Sequence, residues 1–281
     1  MSSVCVCLCV YNNNFGLPFV LSNITNMKKI FNNVSILAFY DKSNDNSLEI
    51  LNKHKELYGN IEIIINTNSR STSRVQNIAN ARNSLLDKIR EKYKDVPYFI
   101  MMDSNDYSCI GDINIDILKK WLERKEEWDA LSFDREAGYY DHWALSFEPF
   151  IYSFFHFSDW KKAVEIMREK FNDFFNNYKI NKPDQLIPVF SAFNGFSIYK
   201  TEIFINCSYS SNIHIDLFPS HLLNMQCYIT NCMIINNFSN DCEHRHFHLE
   251  AFKKKNAKIR ISTDFLFKKF INPPKFLKGP A

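Results

Sequence analysis

The chain has 281 residues, 46% hydrophobic and 15% aromatic, which excludes a disordered or fibrous protein and allows one large α/β domain or two small ones. With 34 basic against 31 acidic residues the formal charge is only +3, too balanced for a protein that neutralises a phosphate backbone, so nucleic acid is not an expected partner. No basic-then-apolar leader and no apolar run of about 18 residues is present, so a soluble, cytoplasmic protein without a membrane span is expected.

In chain order, residues 4–11, 34–40, 61–65 and 98–102 read as strands, and residues 48–58 and 75–93 carry apolar positions at helical spacing. Asp45 and Ser71 to Ser73 are side chains suited to helix N-caps. Cys5, Cys7 and Cys9 alternate along the first strand, where they cannot pair and act as reduced, small apolar residues. This alternation of strand and helix is that of a mostly parallel sheet flanked by helices, and right-handed crossovers place the four strand C-termini on one edge.

Further on come a helix at 113–125, a strand at 130–133, an aromatic stretch to Phe157 and a helix at 159–178. Residues 189–199 read as a strand interrupted by Gly195, 232–235 and 258–262 as short strands, and 249–255 as helical. The basic residues Lys253 to Lys255, Lys258 and Arg260 read as a solvated face. A single domain is expected, with a nucleotide-binding half (1–110), a sugar- and acceptor-binding half (111–271) and an extended tail (272–281).

In an open α/β sheet, ligands bind outside the strand C-termini. The residues there are polar: Tyr11, Asn12 and Asn13 after the first strand, Asp41 to Asp45 after the second, Asn66 to Arg70 after the third, and Asp103-Ser104-Asn105-Asp106 after the fourth. The last segment is the strongest signal, because an apolar strand surfaces abruptly in carboxylates. Hard divalent ions prefer such oxygens and complete their shell with substrate phosphates. Arg74, at the start of its helix, suits an anion. Arg82 and Asn83, two turns on, are placed to bond the Asp103 segment from behind.

These segments resemble the metal-dependent glycosyltransferases of the A-type, Rossmann-like fold. The Asp motif closes a strand as theirs does, although Asn105 stands where many carry the second aspartate, so that role passes to Asp106 or metal affinity is weakened. The run Arg74 to Asn83 is similar to the Arg-rich helix of capsule-associated mannosyltransferase-like and giant-virus glycosyltransferases. Asp241-Cys242-Glu243-His244-Arg245-His246-Phe247-His248 resembles their late Glu-His-x-x-Phe-His segment, and Tyr139-Tyr140-Asp141-His142-Trp143-Ala144-Leu145 a further shared stretch.

The resemblance implies a nucleotide-sugar donor, UDP-linked by preference, bound by Tyr11, Asn12, Asn13, Asp41, Arg74, Arg82, Asn83, Asp103, Ser104 and Asn105. It implies Mn²⁺ or Mg²⁺ on Asp103 and Asp106 with His246 or His248 as a further ligand. Sugar and acceptor, a glycan, glycosylated protein or lipid, would meet Asp134, Tyr140, Asp141, Trp143, Asn194 and Gly195. An inverting enzyme needs a base, with Asp141, Asp184 and Glu243 as candidates; the sequence leaves inverting and retaining chemistry open. Zinc on the Cys242–His248 cluster is a weaker reading, because no second ligand pair stands elsewhere. A nucleotidyltransferase would open with a Gly-rich phosphate loop, and only Gly16 lies there; a transferase-like module that has lost turnover is the other alternative.

Overall fold

The structure is a computed structural model that describes residues 2–105, 107–136 and 138–268. Asp106 and the tail at 272–281 lie outside the described residues. The first half runs β1 (Ser3–Val10), α1 (Leu17–Asn26), β2 (Asn33–Tyr40), α2 (Ser47–Tyr58), β3 (Ile61–Ile65), α3 (Arg74–Lys92) and β4 (Tyr98–Asp103). There follow β5 (Asp112–Ile113), α4 (Ile115–Glu123), β6 (Ala130–Asp134), α5 (Trp160–Asn181), β7 (Ile187–Val189), β8 (Phe196–Lys200), α6 (Thr201–Phe204), α7 (Ser220–Thr230), α8 (Glu243–Lys255), β9 (Ile259–Phe265) and β10 (Phe267–Lys268).

Eight strands form one mixed sheet in the order β3-β2-β1-β4-β8-β6-β9-β7, and β5 pairs with β10 in a small ribbon. Strands β1 to β4 are parallel, so their C-termini share one edge, and β8 is antiparallel to both β4 and β6. Each face of the sheet packs on helices, which is why β1 is apolar throughout. Cys5 and Cys7 turn to the layer with Leu85 and Leu86 of α3, whereas Val4, Val6 and Leu8 turn to the layer with Leu17, Val20 and Ile24 of α1. All eight thiols are free, and burial pushes Cys7 well up and Cys9 to about 12, so both remain protonated apolar groups.

Several elements differ from the sequence expectation. Residues 189–199 are two strands, because Asn194 (φ 58°) and Gly195 (φ 87°) turn the chain between them; β7 lies at the sheet edge and β8 in its middle. Residues 232–235 form no strand, only a bridge between Ile234 and Phe157. The late helix begins at Glu243 rather than 249, stabilised by a buried ion pair from Arg245 to Asp241 at 2.9 Å. Helices α1 and α7 are additions: α7 buries Gln226 and Thr230 alongside Leu222, and those polar residues hide its apolar period.

Candidate active site

The C-terminal edge of β1, β2 and β4 and the first turns of α3 enclose a pocket lined by Tyr11, Asn13, Asp41, Arg70, Arg74 and Asp103 among others. Its floor is a set of cross-bonded loops. The Asn13 side chain accepts from the Tyr11 N–H at 2.9 Å and from the Ser104 hydroxyl at 2.9 Å, and the Asn13 N–H donates to Ser47 at 3.0 Å. Asn12, in the left-handed region at φ 52°, accepts from the Asn44 N–H at 2.8 Å; it clips the loops together and does not line the pocket. Asp41 accepts from Asn66 at 2.9 Å and pairs with Arg70 at 3.3 Å, and the Arg70 guanidinium lies 3.4 Å from the Tyr11 ring centroid. Arg70 ends the polar segment that follows β3, whereas Asn77 stands outside the residues that the sequence reading names. Asn77 had a readable signal, since it stands one helical turn after Arg74 on the same face.

At the mouth of α3, Ser73 caps the helix by accepting from the Gln76 N–H at 3.3 Å, so Arg74 and the first-turn N–H groups present positive potential to the pocket. Asp103 ends β4 opposite Cys9 of β1, its N–H donating to the Gly195 carbonyl at 2.8 Å. Arg82 approaches one carboxylate oxygen at 3.5 Å; Asn105, Ser108 and Tyr140 approach the other at 3.3, 3.4 and 3.4 Å. Burial raises the Asp103 pKa above the usual carboxylate range, against the opposing charges of Arg82 and Arg74. Charge-assisted bonds are ordinarily about 2.7–2.9 Å, so these oxygens retain lone pairs for a ligand.

Behind Asp103 lies Arg82, sandwiched between two carboxylates: Glu243, at the start of α8, is 3.3 Å away. Burial works against the Arg82 charge, and Glu243 together with Cys9, Tyr209 and Asp103 more than restores it. The Arg82 guanidinium also rests 4.4 Å from the Phe193 centroid and contacts Nε2 of His244. Burial and the Arg82 charge push the His244 pKa well down, so the ring is neutral and Nε2 accepts. Asn83 turns elsewhere: it exchanges two 2.8 Å bonds with the Tyr209 backbone and does not reach the Asp103 segment.

The histidines expected as metal ligands are committed to other partners. His248 is buried between the Ser191 and Tyr199 hydroxyls, at 3.0 and 3.1 Å, and burial pushes its pKa down to about 3. His246 bonds the Ser208 carbonyl at 2.9 Å and lies 4.3 Å from the His214 ring. Helical geometry explains the divergence, because His244 and His248 share a face that His246 does not. Among the described residues no three His, Cys, Asp or Glu side chains form a cation cluster. Asp103 alone of the described ligand set fits a hard cation, with its under-used carboxylate oxygens on the pocket.

The second-half residues divide in the same way. Asp141 is half-buried and accepts from the Ala144 N–H at 3.3 Å; burial, then the charges of Asp103 and Glu243, raise its pKa to about 6. Tyr140 places its hydroxyl 2.9 Å from Ser108, beside Asp103. Asn194 spends its side chain internally, donating to the Phe133 carbonyl at 2.8 Å and accepting from the Tyr140 N–H at 3.1 Å. Gly195 is required by packing: a Cβ there would lie 2.6 Å from that of Ser108. Asp134 is buried and paired with Lys179 at 2.6 Å, leaving it no free face for a sugar. Trp143 packs edge-on to Phe155 at 5.8 Å. The side chain of Asp184 is 80% exposed and pairs with Lys120 at 3.3 Å, so it is not brought to the site.

This fold, a large central mixed sheet flanked by helices, is one that solved structures share. Among solved structures the chain is similar to residues 1–349 of Staphylococcus aureus TarS, with 14% identity and a TM-score of 0.50 over 94% of this chain and 59% of that one. The same protein in complex with UDP matches with the same identity, coverage and score. A mannosyltransferase of Pyrobaculum calidifontis, in complex with GDP-Man and Mn²⁺, matches at 14% identity over 83% of this chain and 54% of that one, with a TM-score of 0.44. The chain thus spans about three fifths of the TarS fragment. No family model and no curated protein sequence matches it. Among the described residues no helix is long and apolar enough to cross a membrane.

Proposed function

We propose that the chain is a glycosyltransferase that moves a sugar from a nucleotide-diphosphate donor, UDP-linked, to an acceptor hydroxyl. The observation that carries this reading is the pocket itself, in which Asp103, Arg74 and the α3 N-terminus face Asp41 and Tyr11 across one sheet edge. Its layout suits a nucleotide: a ring and carboxylate at one end, cationic groups beside the diphosphate position. The likeness to TarS in complex with UDP supports the choice of base.

In this reading Arg74 and the α3 N–H groups bind the diphosphate, and Asp103, with Asp106 by its place in the sequence motif, would hold Mn²⁺ or Mg²⁺. That cation supplies Lewis-acid stabilisation of the departing nucleoside diphosphate. Arg82, locked by Glu243, keeps the Asp103 carboxylate at the pocket wall. Asp141 is the base candidate that the geometry favours, because Glu243 is tied to Arg82 and Asp184 is on the surface. With a pKa near 6 it is ionised at neutral pH yet basic enough to take a proton from an acceptor hydroxyl. Release of free UDP from a panel of donor sugars, with Asp103→Asn as control, tests the proposal. No turnover and no binding of any nucleotide sugar would refute it.

A further inference from the structure

One surface is unlike the rest of the molecule. From Ile203 to Asn240 the only Lys, Arg, Asp or Glu is Asp216, in a chain that is 23% charged. Large apolar side chains nevertheless point outward from this segment. Tyr228 and Ile229 stand on the outer face of α7, whose inner face holds Leu222, Gln226 and Thr230. The helix stops at Asn231, in the left-handed region, and the Cys232 N–H turns back to the Cys227 carbonyl at 3.2 Å. This leaves Met233 exposed at the same helix end.

The exposed residues are tied into one patch. Met233 is fixed to Ser158, its carbonyl accepting from the Ser158 N–H at 2.8 Å and its N–H donating to the Ser158 hydroxyl at 3.2 Å, and the Ile235 N–H donates to the His156 carbonyl at 2.8 Å. Phe155 lies 5.1 Å from Phe238 and 5.5 Å from Trp160. Tyr228 is 86% exposed and Met233 71% exposed. Lys161 lies over Trp160 at 5.9 Å, and Lys162 follows it at the rim. An apolar face whose border carries Trp160, Lys161 and Lys162, with Asp159 there spent on capping α5, matches the headgroup zone of a bilayer, where apolar side chains insert, Trp and Tyr sit at the interface and lysine ammonium groups reach anionic lipid.

We infer that the face formed by Trp160, Tyr228, Ile229, Met233, Ile235 and Phe238 docks the protein peripherally on an anionic lipid bilayer. Held this way, the protein lies on the membrane and does not cross it. The inference does not depend on glycosyl transfer, since binding is measured without turnover.

Sedimentation with vesicles of phosphatidylcholine, alone or mixed with phosphatidylglycerol, tests it. The protein is expected to sediment with the mixed vesicles and to be partly released by high salt. A Tyr228→Glu, Met233→Glu double variant, with its circular dichroism unchanged, should lose about tenfold or more of the bound fraction, since two insertions are replaced by charges repelled from the headgroups. The milder Tyr228→Ser, Met233→Ser pair should show an intermediate loss. Failure to sediment with either vesicle, or binding that neither pair alters, would overturn the inference. A dimer that the variants dissociate, with no vesicle binding, would assign the face to a second copy of the chain instead.

Discussion

At Asp103 the described side-chain contacts are all 3.3–3.5 Å long, so the carboxylate is positioned without being satisfied. Replacing it by Asn keeps its size and removes the anion. Because one well-placed group acting on developing charge contributes about 10² to 10³ in rate, UDP release by Asp103→Asn should fall by at least that order, with the fold intact by circular dichroism. Asp141 makes a separate prediction in pH. Its folded pKa of about 6 lies above the ordinary value of 3.8, so the folded chain holds a proton that the unfolded chain has released, and stability falls as pH rises between those two values. Asp141→Asn removes that loss. The variant should therefore gain thermal stability at pH 7 relative to pH 4, compared with the unsubstituted protein, while losing sugar transfer. In the latter, kcat/KM should rise through about pH 6 as the base ionises. A profile flat from pH 5 to 8 would remove Asp141 from that role.

At the scale of elements, α3, α8 and the β4–β8 pair meet on two residues, Arg82 and Gly195. Removing the Arg82 charge leaves Asp103 and Glu243 without their shared partner in a buried setting, a change that typically costs about 3–5 kcal/mol. Arg82→Met should lower the unfolding midpoint strongly, and adding Glu243→Gln should recover part of the loss; simple additivity of the two would contradict the network. Gly195→Ala meets Ser108 at 2.6 Å from a φ of 87°, so it should destabilise the protein by about 1–3 kcal/mol and displace Tyr140 from Asp103. Legibility follows the same division. Strand ends and a helix start are local patterns, so Asp41, Arg74 and Asp103 could be placed on one edge from spacing alone. The partners of His248 come from 57 and 49 residues away, and Asp184 meets Lys120 across 64, separations that no local pattern encodes. Gly195 was recognisable as an interruption, but its packing against Ser108 was not.

Across the whole molecule, the parallel half supplies the pocket and the second half braces its Asp103 edge, because β8 inserts between β4 and β6 and brings Asn194 and Gly195 beside it. A donor bound there as proposed would contact α3 and the loops after β1, β2 and β4 at once, so binding should stabilise the native state globally and not merely order a loop. At a ligand concentration of about 100 times Kd, linkage contributes about 2.7 kcal/mol, enough to raise the thermal midpoint measurably. UDP with Mn²⁺ should raise it most, UDP with chelator less, and Mn²⁺ alone little, because Asp103 offers a cation few protein ligands without the diphosphate. Asp106→Asn should abolish the difference between the first two arms while leaving the metal-free shift in place, and Arg74→Ala should reduce both. The same midpoint in Mn²⁺ and in chelator, with full UDP release in chelator, would show that the cation has no part in donor binding and would leave Arg74 and the α3 N-terminus to carry the diphosphate charge alone.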